Sequence, residues 1–106
     1  MRIQLLTSAG RSKFEFEGSV SEGTHIYYGN SHESYVTKAQ YERLLSHFKG
    51  KTVKIGTSRC NIPHGSLGEW INENIQYRSL ASYIVPILER GGYVKHGLEK
   101  GTITFK

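Results

Sequence analysis

Cysteine is almost absent from this chain, in which Cys60 is the only one among 106 residues. No disulfide can form within it, which fits a reducing compartment, so we expect a cytoplasmic protein, although a cysteine-poor secreted protein would show the same composition. The sequence also lacks a signal-peptide core and any apolar run near the roughly 18 residues of a membrane-spanning helix. We therefore expect no membrane insertion.

Linker-like segments are lacking as well, since no stretch is rich in proline, serine or repeats. A chain of 106 residues without a linker predicts a single domain, residues 1–106, large enough to bury a modest core. Its net charge of +5 is uneven. Residues 1–36 carry three basic and four acidic side chains, whereas residues 37–106 carry eleven basic and five acidic ones. The second part would attract a polyanion, although a solvated basic surface explains the charge equally well.

The first 36 residues predict a small β-meander. Residues 3–6, 13–17 and 25–28 are its strands, and in the second of these Phe14 and Phe16 alternate with Glu15 and Glu17 as in a half-buried strand. Three short strands bury little by themselves. We therefore expect this N-terminal extension to pack on the rest of the chain or on a second copy.

Two capping boxes predict helix starts at Thr37 and Ser66. In each, the hydroxyl accepts from the backbone of the third residue on, Gln40 or Glu69, whose side chain bonds back to the N–H of the cap residue. The first helix ends near Gly50, and residues 51–56 alternate as a short strand.

A third helix is predicted over residues 80–90 by the spacing of its apolar residues, with Gly91 and Gly92 ending it. Pro86 falls inside this segment, where its ring would clash with the Ser82 carbonyl, so the helix either kinks or ends at Val85 and restarts. Residues 93–96 and 102–105 alternate around a glycine-bounded basic tip and predict a β-hairpin.

The order helix, strand, helix, helix, hairpin over residues 37–106 resembles the winged-helix family of helix-turn-helix domains. The most specific part is the run from Leu80 to Val94, which looks like that family's recognition helix entering its wing. The resemblance implies an α+β fold, with a three-helix winged-helix-like part and a C-terminal hairpin, preceded by the N-terminal meander.

In such domains the recognition helix lies in the major groove of double-stranded DNA. The resemblance therefore implies contacts from the exposed side of the third helix and from the wing. The helix candidates are Tyr77, Arg78, Ser79, Ser82 and Tyr83, and the wing candidates are Lys95, His96 and Lys100. Our first hypothesis is a protein that binds double-stranded DNA as a homodimer and regulates transcription or serves a mobile element.

A protein-protein adaptor on the same fold is the main alternative, because the helix has few cations and seven tyrosines suit a protein interface. The loop residues Thr57, Ser58 and Arg59 follow a strand and are possible phosphate contacts, although an ordinary solvated loop has the same composition. Cys60 and His64 lack an evident orienting partner, so we expect no enzyme. The five scattered histidines predict no metal site, and no motif implies a cofactor.

Overall fold

Two antiparallel sheets and three helices form the fold in the computed structural model, which describes residues 2–8, 10, 12–29, 31–56, 63–75 and 80–106. The strands are β1 Ile3–Leu6, β2 Lys13–Ser19, β3 Gly23–Tyr28, β4 His32–Thr37, β5 Thr52–Lys54, β6 Val94–His96 and β7 Thr102–Phe105. The helices are α1 Lys38–Phe48, α2 Leu67–Asn74 and α3 Ala81–Arg90. The mixed α+β class and the N-terminal meander are confirmed.

The N-terminal sheet has the strand order β1-β2-β3-β4. Its fourth strand, β4, was missed by the sequence analysis. Phe14, Phe16, Ile26 and Val36 are buried on the inner face of this sheet, which packs against α1 and α3. The expectation that the meander packs on the rest of the chain is therefore confirmed.

Helix α1 begins with the complete capping box that the sequence predicts. The Gln40 N–H donates to the Thr37 hydroxyl over 3.1 Å, and the Thr37 N–H donates to the Gln40 side-chain oxygen over 2.8 Å. The buried side of α1 contacts both sheets, because Tyr41 bonds to Thr24 on β3 and Phe48 stacks on Phe105 of β7. This helix thus joins the two sheets through one core.

Helix α2 has only half of its predicted capping box. The Ser66 hydroxyl accepts from the Glu69 N–H over 3.2 Å, but the Glu69 carboxylate accepts from the Gly65 N–H over 3.0 Å. It does not accept from Ser66, because the Ser66 N–H already donates to the Pro63 carbonyl. The prediction of the reciprocal bond to Ser66 is therefore wrong.

Helix α3 runs without a break through Pro86. Proline has no N–H to offer the Ser82 carbonyl four residues earlier. The Ser8 N–H, just after β1, donates to that carbonyl over 3.0 Å. A bond from the N-terminal segment thus replaces the missing helical one, and the alternative that the helix ends at Val85 and restarts is wrong.

The small sheet has the order β5-β7-β6, so the C-terminal strand lies between the other two. Its inner face carries Val94, Ile103 and Phe105, which are buried. Both α1 and α3 therefore contact both sheets, α1 through Phe48 and α3 through its contacts with β1 and β6. Each sheet therefore turns its apolar face toward the helices and its other face away from them.

Candidate nucleic-acid interface

Six of the predicted contact residues lie outside the described part of the chain. These are Tyr77, Arg78 and Ser79 before α3, and Thr57, Ser58 and Arg59 after β5. Their predicted roles stay predictions. The other five candidates, Ser82, Tyr83, Lys95, His96 and Lys100, can be placed.

Ser82 and Tyr83 do not lie on an open helix surface. The Tyr83 ring stacks on Tyr28 with centroids 4.6 Å apart and meets the edge of Phe14 at 5.2 Å, while the Ser82 carbonyl accepts from Ser8. The expectation that both residues are exposed is therefore corrected, because the N-terminal sheet covers this side of α3. The sequence pattern could not show this, since the covering residues are more than 50 positions away in the chain.

The outer face of the small sheet carries lysine and threonine side chains. Alternation along the strands places Thr52 and Lys54 of β5, Thr104 of β7 and Lys95 of β6 on this face, opposite the buried residues. Thr104 lies directly between Thr52 and Lys95, and its hydroxyl is 2.8 Å from that of Thr52. Lys106 follows β7 on the same side by alternation. We call Lys54, Lys95, Lys106, Thr52 and Thr104 the lysine face.

His96 points to the other side of β6 from Lys95. Its Nε2 lies 3.0 Å from a carboxylate oxygen of Glu89 on α3, so this ring joins the hairpin to the helix and does not belong to the lysine face. The two neighbouring wing candidates therefore have different surroundings. Lys95 is exposed beside threonines, and His96 has an acidic partner.

The hairpin tip is held by Thr102, whose hydroxyl donates to the Glu99 carbonyl over 2.7 Å. The Gly97 N–H donates in turn to the Thr102 carbonyl over 3.0 Å. Lys100 is exposed within this turn, as is Leu98. The tip thus presents Lys100 at the end of the hairpin whose strands form part of the lysine face.

Basic side chains are concentrated in the two segments that contain the strands of this sheet. Residues 43–56 contain four lysine or arginine side chains and no carboxylate, and residues 90–106 contain four against the single carboxylate of Glu99. Lys54 and Lys106 were not among the predicted contacts. The alternation of Thr52 and Lys54 with Val53, and of Thr104 and Lys106 with Phe105, is the signal that could have identified them.

Other ionisable groups have local roles. The Gly65 N–H, which donates to the Glu69 carboxylate, lowers the pKa of Glu69, and the nearby His64 lowers it further. Glu69 is also a partner for His64 that was not predicted from the sequence, with His64 Nδ1 at 3.1 Å from its carboxylate. The His64 side chain is nevertheless 97% exposed.

Among the described residues, no three or more metal-ligating side chains cluster in a way that could hold a metal ion.

No family model matches the chain, and neither a curated protein nor a solved structure matches it. No helix within the described ranges is both long enough and apolar enough to cross a membrane.

Proposed function

We propose that this protein binds double-stranded DNA, with the lysine face and Lys100 contacting the phosphate backbone. The observation that carries the proposal is the lysine face itself, in which three lysines and two threonine hydroxyls lie on one side of the small sheet and the strand residues of that side include no carboxylate. Ammonium and hydroxyl groups are among the donors that proteins use toward phosphate oxygens.

The order of elements lends further support. Helix, strand, helix, helix and hairpin follow one another as in the winged-helix family, and the sheet order β5-β7-β6 brings the hairpin beside β5. The proposal differs from that resemblance in its docking surface, because the N-terminal part of the chain packs on α3 at Ser82 and Tyr83 and leaves both half-buried. Tyr77, Arg78 and Ser79, which precede this helix in the sequence, remain predicted contacts.

Phosphate contacts carry no direct sequence information. We therefore expect binding with little sequence preference and a strong dependence on salt, because each neutralised phosphate releases counterions. The proposed role is non-catalytic and cytoplasmic, in transcription or for a mobile element, and either a monomer or a homodimer is compatible with it.

The test is a titration of random-sequence duplex DNA at several salt concentrations with two variants. Replacing Lys54, Lys95 and Lys106 by glutamine should weaken binding and reduce the slope of log K against log salt by about 0.9 for each lost phosphate contact. The control is Lys38→Gln at the start of α1, where the lysine lies 4.0 Å from Glu42. This control variant should leave the DNA affinity and the salt slope unchanged.

Two results would contradict the proposal. One is the absence of wild-type binding even at low salt. The other is a triple variant that binds like the wild type, which would mean that the phosphates contact a different surface.

A further inference from the structure

The outer face of the N-terminal sheet has a composition unlike that of the lysine face. Opposite the buried Phe14, Phe16, Ile26 and Val36, alternation places carboxylates and aromatic rings on the side that faces solvent. We call this set, which consists of Glu15, Glu17, His25, Tyr27, Glu33 and Tyr35, the tyrosine face.

Tyr27 lies at the centre of this face between two carboxylates. Glu15 on β2 and Glu33 on β4 are its direct cross-strand partners. Directly opposed side chains lie about 5 Å apart at their Cβ atoms, so both carboxylates flank the ring. An aromatic ring with carboxylates beside it attracts a cation through the negative ring face and through direct ion pairing.

A cation already uses part of this site. The Arg2 guanidinium lies 3.7 Å from the centre of the Tyr27 ring, with nitrogen atoms 3.4 Å from Glu15 and 3.3 Å from Glu17. The Arg2 side chain is 49% exposed, and the two carboxylates are exposed to a similar degree. Exposed ion pairs of this kind contribute little to stability, so another cation can displace Arg2 at small cost.

On the β4 side of Tyr27 lie Glu33 and Tyr35. His25 stacks on Tyr27 with centroids 4.5 Å apart and bonds to Glu33, while Tyr35 meets the edge of His25 and is 49% exposed. A groove of about 510 Å³ opens beside Tyr27 and is lined by Glu15 and Glu33. Lys13 and His32 line it too, at the end where β3 turns into β4, so the carboxylate end is the favoured place for a further cation.

We propose that the tyrosine face binds an arginine- or lysine-containing segment of a partner protein, and that Arg2 occupies in cis a position that a partner side chain takes on binding. Charge complementarity selects this partner, because the three carboxylates outnumber the two cations of the same face, Arg2 and Lys13, and therefore favour a basic peptide over a nucleic acid. Arg2 shows which geometry the site accepts, namely a planar guanidinium on the ring between carboxylates.

The proposal is independent of DNA binding, since the lysine face and the tyrosine face belong to different sheets. A second copy of the chain, docking its lysine face here, is the competing occupant. Sedimentation velocity over a range of concentrations separates the two. A monomer at every concentration supports a different partner, and association that Glu15→Gln abolishes would overturn the proposal in favour of a second copy.

The direct test uses an eight-residue peptide of alternating arginine and serine, with a glutamate-serine peptide as the probe control, followed by NMR. The arginine peptide should shift the signals of Tyr27, Tyr35 and His25, and the glutamate peptide should not. Replacing both Glu15 and Glu33 by glutamine should weaken the arginine peptide at least tenfold. Glu73→Gln, at an exposed position of α2, should have no effect.

Arg2→Ala distinguishes a binding site from a merely structural ion pair. If Arg2 occupies a partner position, its removal should tighten peptide binding several-fold, whereas a purely structural arginine would give unchanged or weaker binding on removal. The latter result, or peptide shifts confined to residues outside the tyrosine face, would refute the proposal. A thermal melt of each variant confirms that the sheet remains folded.

Discussion

Tyr41 is the residue at which α1 is fixed to the N-terminal sheet. Its hydroxyl lies 2.6 Å from that of Thr24 on β3, and both side chains are fully buried. Burial raises the pKa of Tyr41 to about 12, although the Thr24 bond acts in the opposite direction. Two buried hydroxyls that bond to each other satisfy each other's need for a hydrogen-bond partner. The loss of one leaves the other buried without a partner.

We therefore predict that Tyr41→Phe lowers the free energy of unfolding by about 1–3 kcal/mol, because the Thr24 hydroxyl then stays buried without its bond. Urea denaturation measures this difference. Tyr35→Phe on the exposed face is the matched control and should change stability by less than about 0.5 kcal/mol. Equal effects of the two substitutions would show that the buried bond contributes nothing of its own.

The same residue predicts a loss of stability at alkaline pH. The folded state keeps Tyr41 neutral up to a pKa of about 12, above the ordinary value of 10.0, whereas the unfolded chain ionises at that ordinary value. The stability that the raised pKa of Tyr41 contributes is fully present below pH 10. It is lost as the pH rises through 12, because the unfolded state then binds fewer protons than the folded state. The stability difference between wild type and Tyr41→Phe should therefore shrink over this range, as denaturation at stepped pH values would show. A constant difference would contradict the assignment.

At the scale of elements, most helices and strands could be predicted from local signals, and the failures have specific causes. The capping residues Thr37 and Ser66 marked the starts of α1 and α2 correctly. Strand β4 was missed because buried Ser34 interrupts its apolar alternation, so that only Val36 stood out. The covering of α3 depends on Ser8 and Phe14, far away in sequence, and local periodicity carries no information on such contacts.

Pro86 gives a prediction about how α3 is joined to β1. In Pro86→Ala, the new N–H competes with Ser8 for the Ser82 carbonyl, because it restores the helical donor four residues on. We expect the Ser8 amide to be protected from hydrogen exchange in the wild type and to exchange faster in this variant. Exchange measured by NMR tests this, with the Thr7 amide, which donates to Ser12, as the internal reference. An unchanged exchange rate of the Ser8 amide would mean that the restored helical N–H does not compete for the Ser82 carbonyl.

Gly68 lies where α2 contacts the backbone that follows β5. Its N–H donates to the Ile55 carbonyl over 2.8 Å, and a Cβ at this position would overlap the Gly56 carbonyl oxygen. Glycine to alanine within an unobstructed helix stabilises by about 1 kcal/mol. Here we predict the opposite sign for Gly68→Ala, a loss of about 1–3 kcal/mol, because the backbone must move apart. Thermal or urea unfolding decides the sign, and a gain in stability would show that the contact is loose.

At the scale of the whole molecule, the fold separates two surfaces of different charge. Each sheet packs its apolar face on the helices, so the lysine face and the tyrosine face lie on different sheets and each is turned away from the core. Of the lysine face, Lys95 was among the contacts predicted from the sequence, and Lys100 was predicted at the adjoining tip. The way the strands assemble into one basic surface depends on the pairing of β5 with β7, which joins segments about 50 residues apart.

This separation predicts how the carboxylates of the tyrosine face affect DNA binding. The molecule measures 32 × 28 × 24 Å, whereas charges in physiological salt are screened over about 8 Å. Replacing Glu15, Glu17 and Glu33 by glutamine should therefore change DNA affinity less than about twofold in physiological salt. Near 0.01 M salt, where screening extends to about 30 Å, the same variant should bind DNA several-fold more tightly than the wild type. Duplex titrations at the two salt concentrations measure both effects. An equal gain in DNA affinity at both salt concentrations would place these carboxylates beside the DNA. That result is incompatible with docking through the lysine face.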